Sequence, residues 1–205
     1  MSGVLVATLL AQLFAAAAWT GTFAGERLCA GRVPYEDGPP PVAFGRAPFV
    51  AAGACIGIAL ALRGEPALHI AVLLAVTFAL AGAAAADLAC GALPDVLTIG
   101  PLAIVVASGA ASFDWAPALG AACVAVPFAL AAIVSRGRGM GWGDVKLAAL
   151  GGALLGLAGA ALAFMLAALV AYGMARRTSS LRRPIAFGPY IAASIAASLT
   201  VVRTI

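Results

Sequence analysis

The chain has 205 residues, 64% of them hydrophobic and 10% charged, with a formal net charge of +4 and a mean hydropathy of +1.09. A soluble domain carries roughly 25% charged residues, so the composition excludes a water-exposed globule and reads as an integral membrane protein. The positive charge comes from arginines gathered in a few loops, a pattern that orients a membrane protein and gives no ground for nucleic-acid binding.

Apolar runs fall at 3–24, 48–62, 67–86, 97–113, 117–134, 145–174 and 184–202. Strand alternation is absent, and Ala, Leu, Val and Gly come in long blocks. The expected fold class is therefore all-α, a polytopic bundle of transmembrane helices. The first run, "MSGVLVATLL…", lacks a basic leading segment and a small-residue cleavage site, and reads as a retained span. After it comes "GERLCAGRVPYEDGPPPVAFGRAP", a proline-rich loop over 25–47, too short and irregular for a domain. One membrane domain over 1–205 is expected.

The run 145–174 is too long for one crossing of ~20 residues. Its "GGALLGLAG" would divide it into helices at 145–156 and 158–174, giving eight membrane helices instead of seven. Arginines choose between the two. They lie in loops 25–47 (Arg27, Arg32, Arg46), 135–144 (Arg136, Arg138) and 175–183 (Arg176, Arg177, Arg182, Arg183). Eight helices put all three loops on one side, the cytoplasmic side by the positive-inside rule, with the N-terminus outside. Seven would strand the four-arginine loop outside. The segment holding Asp87 and Asp95 then also reaches the cytoplasmic face.

The four cysteines, Cys29, Cys55, Cys90 and Cys123, form no C-x-x-C pair, so neither a structural disulfide nor a zinc site is expected. The single histidine, His69, reads as an interfacial residue. Trp115 reads as an outer-face anchor, and Trp142 as an inner-face anchor or a wall of a substrate entrance.

Eight acids are present, and Glu26, Glu36, Asp37, Glu65 and Asp114 fall in turns or interfacial segments. Asp87 is different. It lies within the last two turns of an apolar helix, opposing the negative end of the helix dipole. An acid in lipid costs on the order of 2–3 kcal/mol at mid-membrane and less near the interface. Its small neighbours Ala83, Ala84, Cys90 and Gly91 leave space for a substrate backbone.

Asp144 follows Gly139, Gly141 and Gly143 in "GRGMGWGDVKL", and taken alone it reads equally as a helix N-cap. Asp95, after Pro94, reads more strongly as a cap. The glycines fit neither a dinucleotide fingerprint nor a P-loop, since the spacing is G-x-G-x-G with no preceding strand and no Gly-Lys-Ser/Thr.

Two membrane-edge aspartates on one face have a chemistry of their own. Close like charges cannot both ionise, so such a pair shares one proton around a water. One carboxylate activates the water while the other carboxyl polarises a scissile carbonyl. The glycines before Asp144 would let an extended peptide backbone come close. No metal or cofactor is needed.

"GMGWGDVKL" followed by "AALGGALLG" closely resembles the second catalytic motif of bacterial type IV prepilin peptidases, the G-x-G-D membrane aspartic proteases. "DLACGALPDVLT" resembles their first motif, and "IAFGPYIAAS" (with Phe187, Gly188 and Pro189) the segment opening their last helix. The three motifs occur in family order within a core over 67–202. The resemblance implies that Asp87 and Asp144 are the catalytic pair. It implies as substrates prepilins or pseudopilins of a type IV pilus, Flp pilus or type II secretion system. Their short basic leader is cut just before an apolar helix, at the cytoplasmic face of the bacterial inner membrane.

Larger family members carry a cytoplasmic insert with two C-x-x-C pairs and methylate the new N-terminus. The insert is replaced here by the proline-rich loop, so methyltransferase activity is expected to be absent. Lys146, two residues from Asp144, does not face it on a helix and reads as an interfacial charge. Two rival readings are a small proton- or cation-coupled transporter using the same acids and a presenilin-like intramembrane protease.

Overall fold

The apolar blocks fold as seven helices in the computed structural model, which describes residues 2–30, 42–136, 140–177 and 186–201. They are α1 (Ser2–Cys29), α2 (Ala47–Arg63), α3 (Ala67–Cys90), α4 (Asp95–Ala111), α5 (Ala116–Val134), α6 (Trp142–Arg177) and α7 (Gly188–Val201). Among the described residues all regular structure is helical, as the block pattern requires. Arg32, Glu36, Asp37, Arg138, Gly139, Arg182 and Arg183 lie outside the described residues. The expected loop over 25–47 begins later than its polar composition suggested, because α1 continues through Glu26 and Arg27 to Cys29.

Four helices are long and apolar enough to cross a membrane: Gly3–Cys29 within α1, then α3, α5 and α6. At 17 residues each, α2 and α4 reach the lower limit of a span, about 17 residues. Large apolar side chains face outward where a soluble protein would place charge, among them Leu5, Leu62, Val126, Leu162 and Leu169. This is the exterior of a multi-pass membrane protein, with lipid as the solvent.

Without a hydrophobic drive between helices in lipid, packing rests on close backbone approach at small residues. A methyl group on Gly21 would meet the Phe78 carbonyl and one on Gly25 the Gly82 carbonyl, pressing α1 against α3 in parallel. Gly53 and Gly57 abut the carbonyls of Phe14 and Leu10, which seats α2 antiparallel on α1. The central core is built by α3, α6 and α7, where Leu73, Leu147, Leu150, Ile191, Ile195 and Leu199 are fully buried.

The division expected near residue 157 falls at Gly156. Its φ of 66° and ψ of 179° are non-helical inside α6, in a region essentially reserved for glycine. A straight helix of 36 residues would be about 54 Å long, well beyond a ~30 Å hydrocarbon layer. Instead α6 reverses. Gly120 of α5 packs on Gly152, yet Phe128 of α5 meets Phe164 edge to face, with ring centroids 5.5 Å apart. Residues after Gly156 thus run back along α5 toward the end where α6 began. A methyl on Gly151 would lie 2.5 Å from the Phe164 ring, so the two arms of α6 lie side by side. Arg176 and Arg177 therefore return to the end that holds Asp144.

The expectation of no structural disulfide is corrected. Cys29 and Cys90 form one, with Cα atoms 6.0 Å apart. They stand 61 residues apart in sequence, but the parallel register of α1 on α3 brings the two helix ends together. Cys55 and Cys123 are free. At the opposite end, Arg63 donates to the carbonyls of Leu199 and Thr200 at 3.1 and 2.6 Å. It thereby ties the end of α2 to the last turn of α7.

Candidate active site

Asp87 stands one turn before the end of α3. The helix stops there because Gly91 takes the left-handed conformation (φ 64°) and donates its N–H back to the Asp87 carbonyl at 2.9 Å, a common C-terminal stop. Leu93 and Pro94 then turn the chain, and Asp95 starts α4 with Pro94 in extended conformation before it.

The Asp87 carboxyl is buried, 7% exposed. Its Oδ2 accepts a hydrogen bond from the Gly188 backbone N–H at 3.0 Å. That donor is one of the N-terminal groups a helix leaves unpaired, and the positive end of the α7 dipole faces the acid. The unfavourable position of Asp87 on its own helix is thus offset by the start of another. Phe187, Gly188 and Pro189 explain themselves here. Proline suits the first turn of a helix, the Phe187 carbonyl accepts from Tyr190 and Ile191 N–H, and a side chain at 188 would lie 2.8 Å from Asp87 Oδ2.

Asp144 sits in the first turn of α6 and is half-buried. The helix begins at Trp142, so Asp144 is its third residue and not the cap that the glycine run suggested. Its Oδ2 accepts instead from the Gly141 N–H at 3.3 Å, reaching back in the manner of a capping box.

The two acids approach through Leu93. A methyl on Gly143 would meet Leu93 Cβ at 2.7 Å, and one on Gly188 would meet Leu93 Cδ1 at 3.3 Å. Leu93 thus stands between the residue preceding Asp144 and the residue bonded to Asp87.

The clearance expected from the glycines is divided. Gly143 is occupied by Leu93, whereas a Cβ on Gly141 would meet only Asp144 Oδ2 at 3.5 Å and the Gly143 nitrogen at 3.9 Å. Open space beside Asp144 is therefore on the Gly141 side. Around Asp87, Ala83 and Ala84 are packed and Cys90 is in the disulfide, so the room there comes from Gly188.

Two features near the acids carry no signal in the linear motifs. Lys146 Nζ lies 2.6 Å from Asp95 Oδ1 and ties α6 to α4; Asp95 makes no capping bond. Scarcity of charge in an apolar chain was the one hint that these two belong together. An apolar groove of about 310 Å³ opens between α1, α2, α3 and α7, reaching Leu88 and Pro189, the sequence neighbours of Asp87 and Gly188. Phe44 and Gly45 line it from the segment before α2, which the Val42 N–H pins to the Leu88 carbonyl at 2.9 Å.

Elsewhere, His69 pairs with Glu65 at 2.9 Å one turn away, in keeping with an interfacial role. Trp115 and Trp142 are both exposed. No cluster of His, Cys, Asp or Glu among the described residues could hold a metal ion.

No curated protein and no solved structure matches the chain. A family model does, over residues 72–175, about half of the sequence, and that stretch contains both aspartates and Leu93. Its description is the type IV leader peptidase family, and the protein belongs to that family of peptidases.

Proposed function

We propose that the protein is an aspartic endopeptidase that removes the short basic leader from prepilin or pseudopilin precursors, with Asp87 and Asp144 as its catalytic pair. The observation that supports this reading is that Gly143, next to Asp144, and Gly188, hydrogen-bonded to Asp87, both abut Leu93. In each acid, Oδ2 is engaged by a backbone N–H, so Oδ1 of each is the atom left for a shared water. One carboxylate takes a proton from that water as it attacks the scissile carbonyl. The other, protonated, donates to the carbonyl oxygen, and the amine leaves with a proton from the pair.

The positive-inside distribution of arginines supports a cytoplasmic site in the bacterial inner membrane. The groove beside Leu88 and Pro189 supports an apolar helix lying in the membrane directly after the cut. Neither methyl transfer nor a metal is part of this proposal. Family membership favours proteolysis over the transporter alternative. A presenilin-like specificity would differ in cutting within a transmembrane helix, which cleavage-site mapping distinguishes.

The test is co-expression with a prepilin substrate and mass spectrometry of its N-terminus. Asp87→Asn and Asp144→Asn are each expected to abolish processing, and an unmethylated new N-terminus is expected with the wild type. Undiminished cleavage by either variant overturns the assignment.

A further inference from the structure

The ion pair of Asp95 with Lys146 is not used by the chemistry above, yet it borders it. Asp95 follows Asp87 by eight residues, and Lys146 follows Asp144 by two. The apolar groove flanks the acids on the side of α2, α3 and α7, while the ion pair flanks them on the side of α4 and α6. A chain laid across the site from the ion pair to the groove would pass from charge to grease. A basic leader followed by an apolar helix has that same polarity.

Among the described residues, the other acids of this face are committed elsewhere. Glu26 holds Arg46 at 2.6 Å, and the Arg46 guanidinium also sits 3.7 Å above the Phe23 ring. Asp87 and Asp144 form the pair itself. The Asp95 side chain is 64% exposed and is held by a flexible lysine amine. An exposed pair of this kind contributes little to the fold, so an incoming cation can replace the lysine at little cost. The ammonium already seated on Asp95 also shows that the position accepts the group a leader lysine would present.

We infer that Asp95 is the docking carboxylate for a basic residue of the leader, with Lys146 as the internal cation that it displaces. This rests on the leader-peptidase reading and adds a determinant of specificity to it. Lys146 then acts as a competitor, so its removal should tighten binding of a basic leader and leave a neutral one little changed.

The experiment is an enzyme–substrate cycle. Wild type, Asp95→Asn, Asp95→Glu and Lys146→Met are assayed in detergent on two substrates differing only in whether the leader's basic residues are kept or replaced by Gln. Asp95→Asn is expected to lower kcat/KM on the basic leader roughly tenfold, mainly through KM, as for loss of one charged hydrogen bond. On the Gln leader the same substitution is expected to cost about twofold or less. Asp95→Glu should keep the preference for the basic leader, and Lys146→Met should lower KM for it. Equal losses on both leaders, from Asp95→Asn or from Lys146→Met, would overturn the inference and leave the pair as a tie between α4 and α6. Asp87→Asn serves as the separate control. If it cleaves like wild type, the assignment of Asp87 as a catalytic acid fails, whatever the Asp95 variants do.

Discussion

The Gly188 N–H and the Asp87 carboxyl meet at 3.0 Å across 101 residues of sequence, joining the start of the last helix to the end of the third. The contact depends on the absence of a side chain at 188. Gly188→Ala would place a methyl 2.8 Å from Asp87 Oδ2 and 3.3 Å from Leu93 Cδ1, so the acid must turn away. A loss of kcat/KM of at least about tenfold, or ~1.4 kcal/mol of transition-state stabilisation, is expected. Gly100→Ala is the matched control, since a methyl there meets nothing within 4 Å. It should process substrate normally and melt no lower than wild type.

Gly156 carries the reversal of α6, and alanine there would be held at a φ of 66°. Strain of this kind costs on the order of 1–3 kcal/mol. Gly156→Ala is expected to lower the thermal midpoint of the detergent-solubilised protein and to reduce processing in parallel. An unchanged melting curve with full activity would show that the turn tolerates a side chain.

The groove beside Asp87 can be narrowed without disturbing the core. Ala193 lines it and is itself exposed, so Ala193→Leu adds bulk on the open side. A rise in KM of roughly tenfold, equivalent to ~1.4 kcal/mol, is expected for substrates with a complete apolar helix. A peptide cut short a few residues after the scissile bond should be unaffected. Equal effects on both would place the apolar helix elsewhere.

Much of this architecture was legible in the residues. Blocks of Ala, Leu and Val can satisfy their backbone in lipid only as helices, and the expected break in the long 145–174 run falls at Gly156. The two acids stood out because a carboxyl among alanines is costly enough to require a reason. What escaped was whatever depends on register between helices. Cys29 and Cys90 are scattered in sequence but level in space, since α1 and α3 run parallel. Leu93 carries no signal in the linear sequence, yet Gly143 and Gly188 both abut it. The cap alternative for Asp144 arises because a glycine run does not reveal which of its members ends the loop. It falls away because the helix starts at Trp142, three residues earlier than a cap at Asp144 requires.

The reversal at Gly156 also governs the parity of the bilayer crossings. A chain that turns back once within the membrane delivers its next helix to the leaflet it came from. One pair of backbone angles thus decides whether Phe187, Gly188 and Pro189 emerge beside Asp87 or on the far side of the lipid. The place of the Gly188 N–H that serves Asp87 therefore depends on a glycine some thirty residues earlier in the chain.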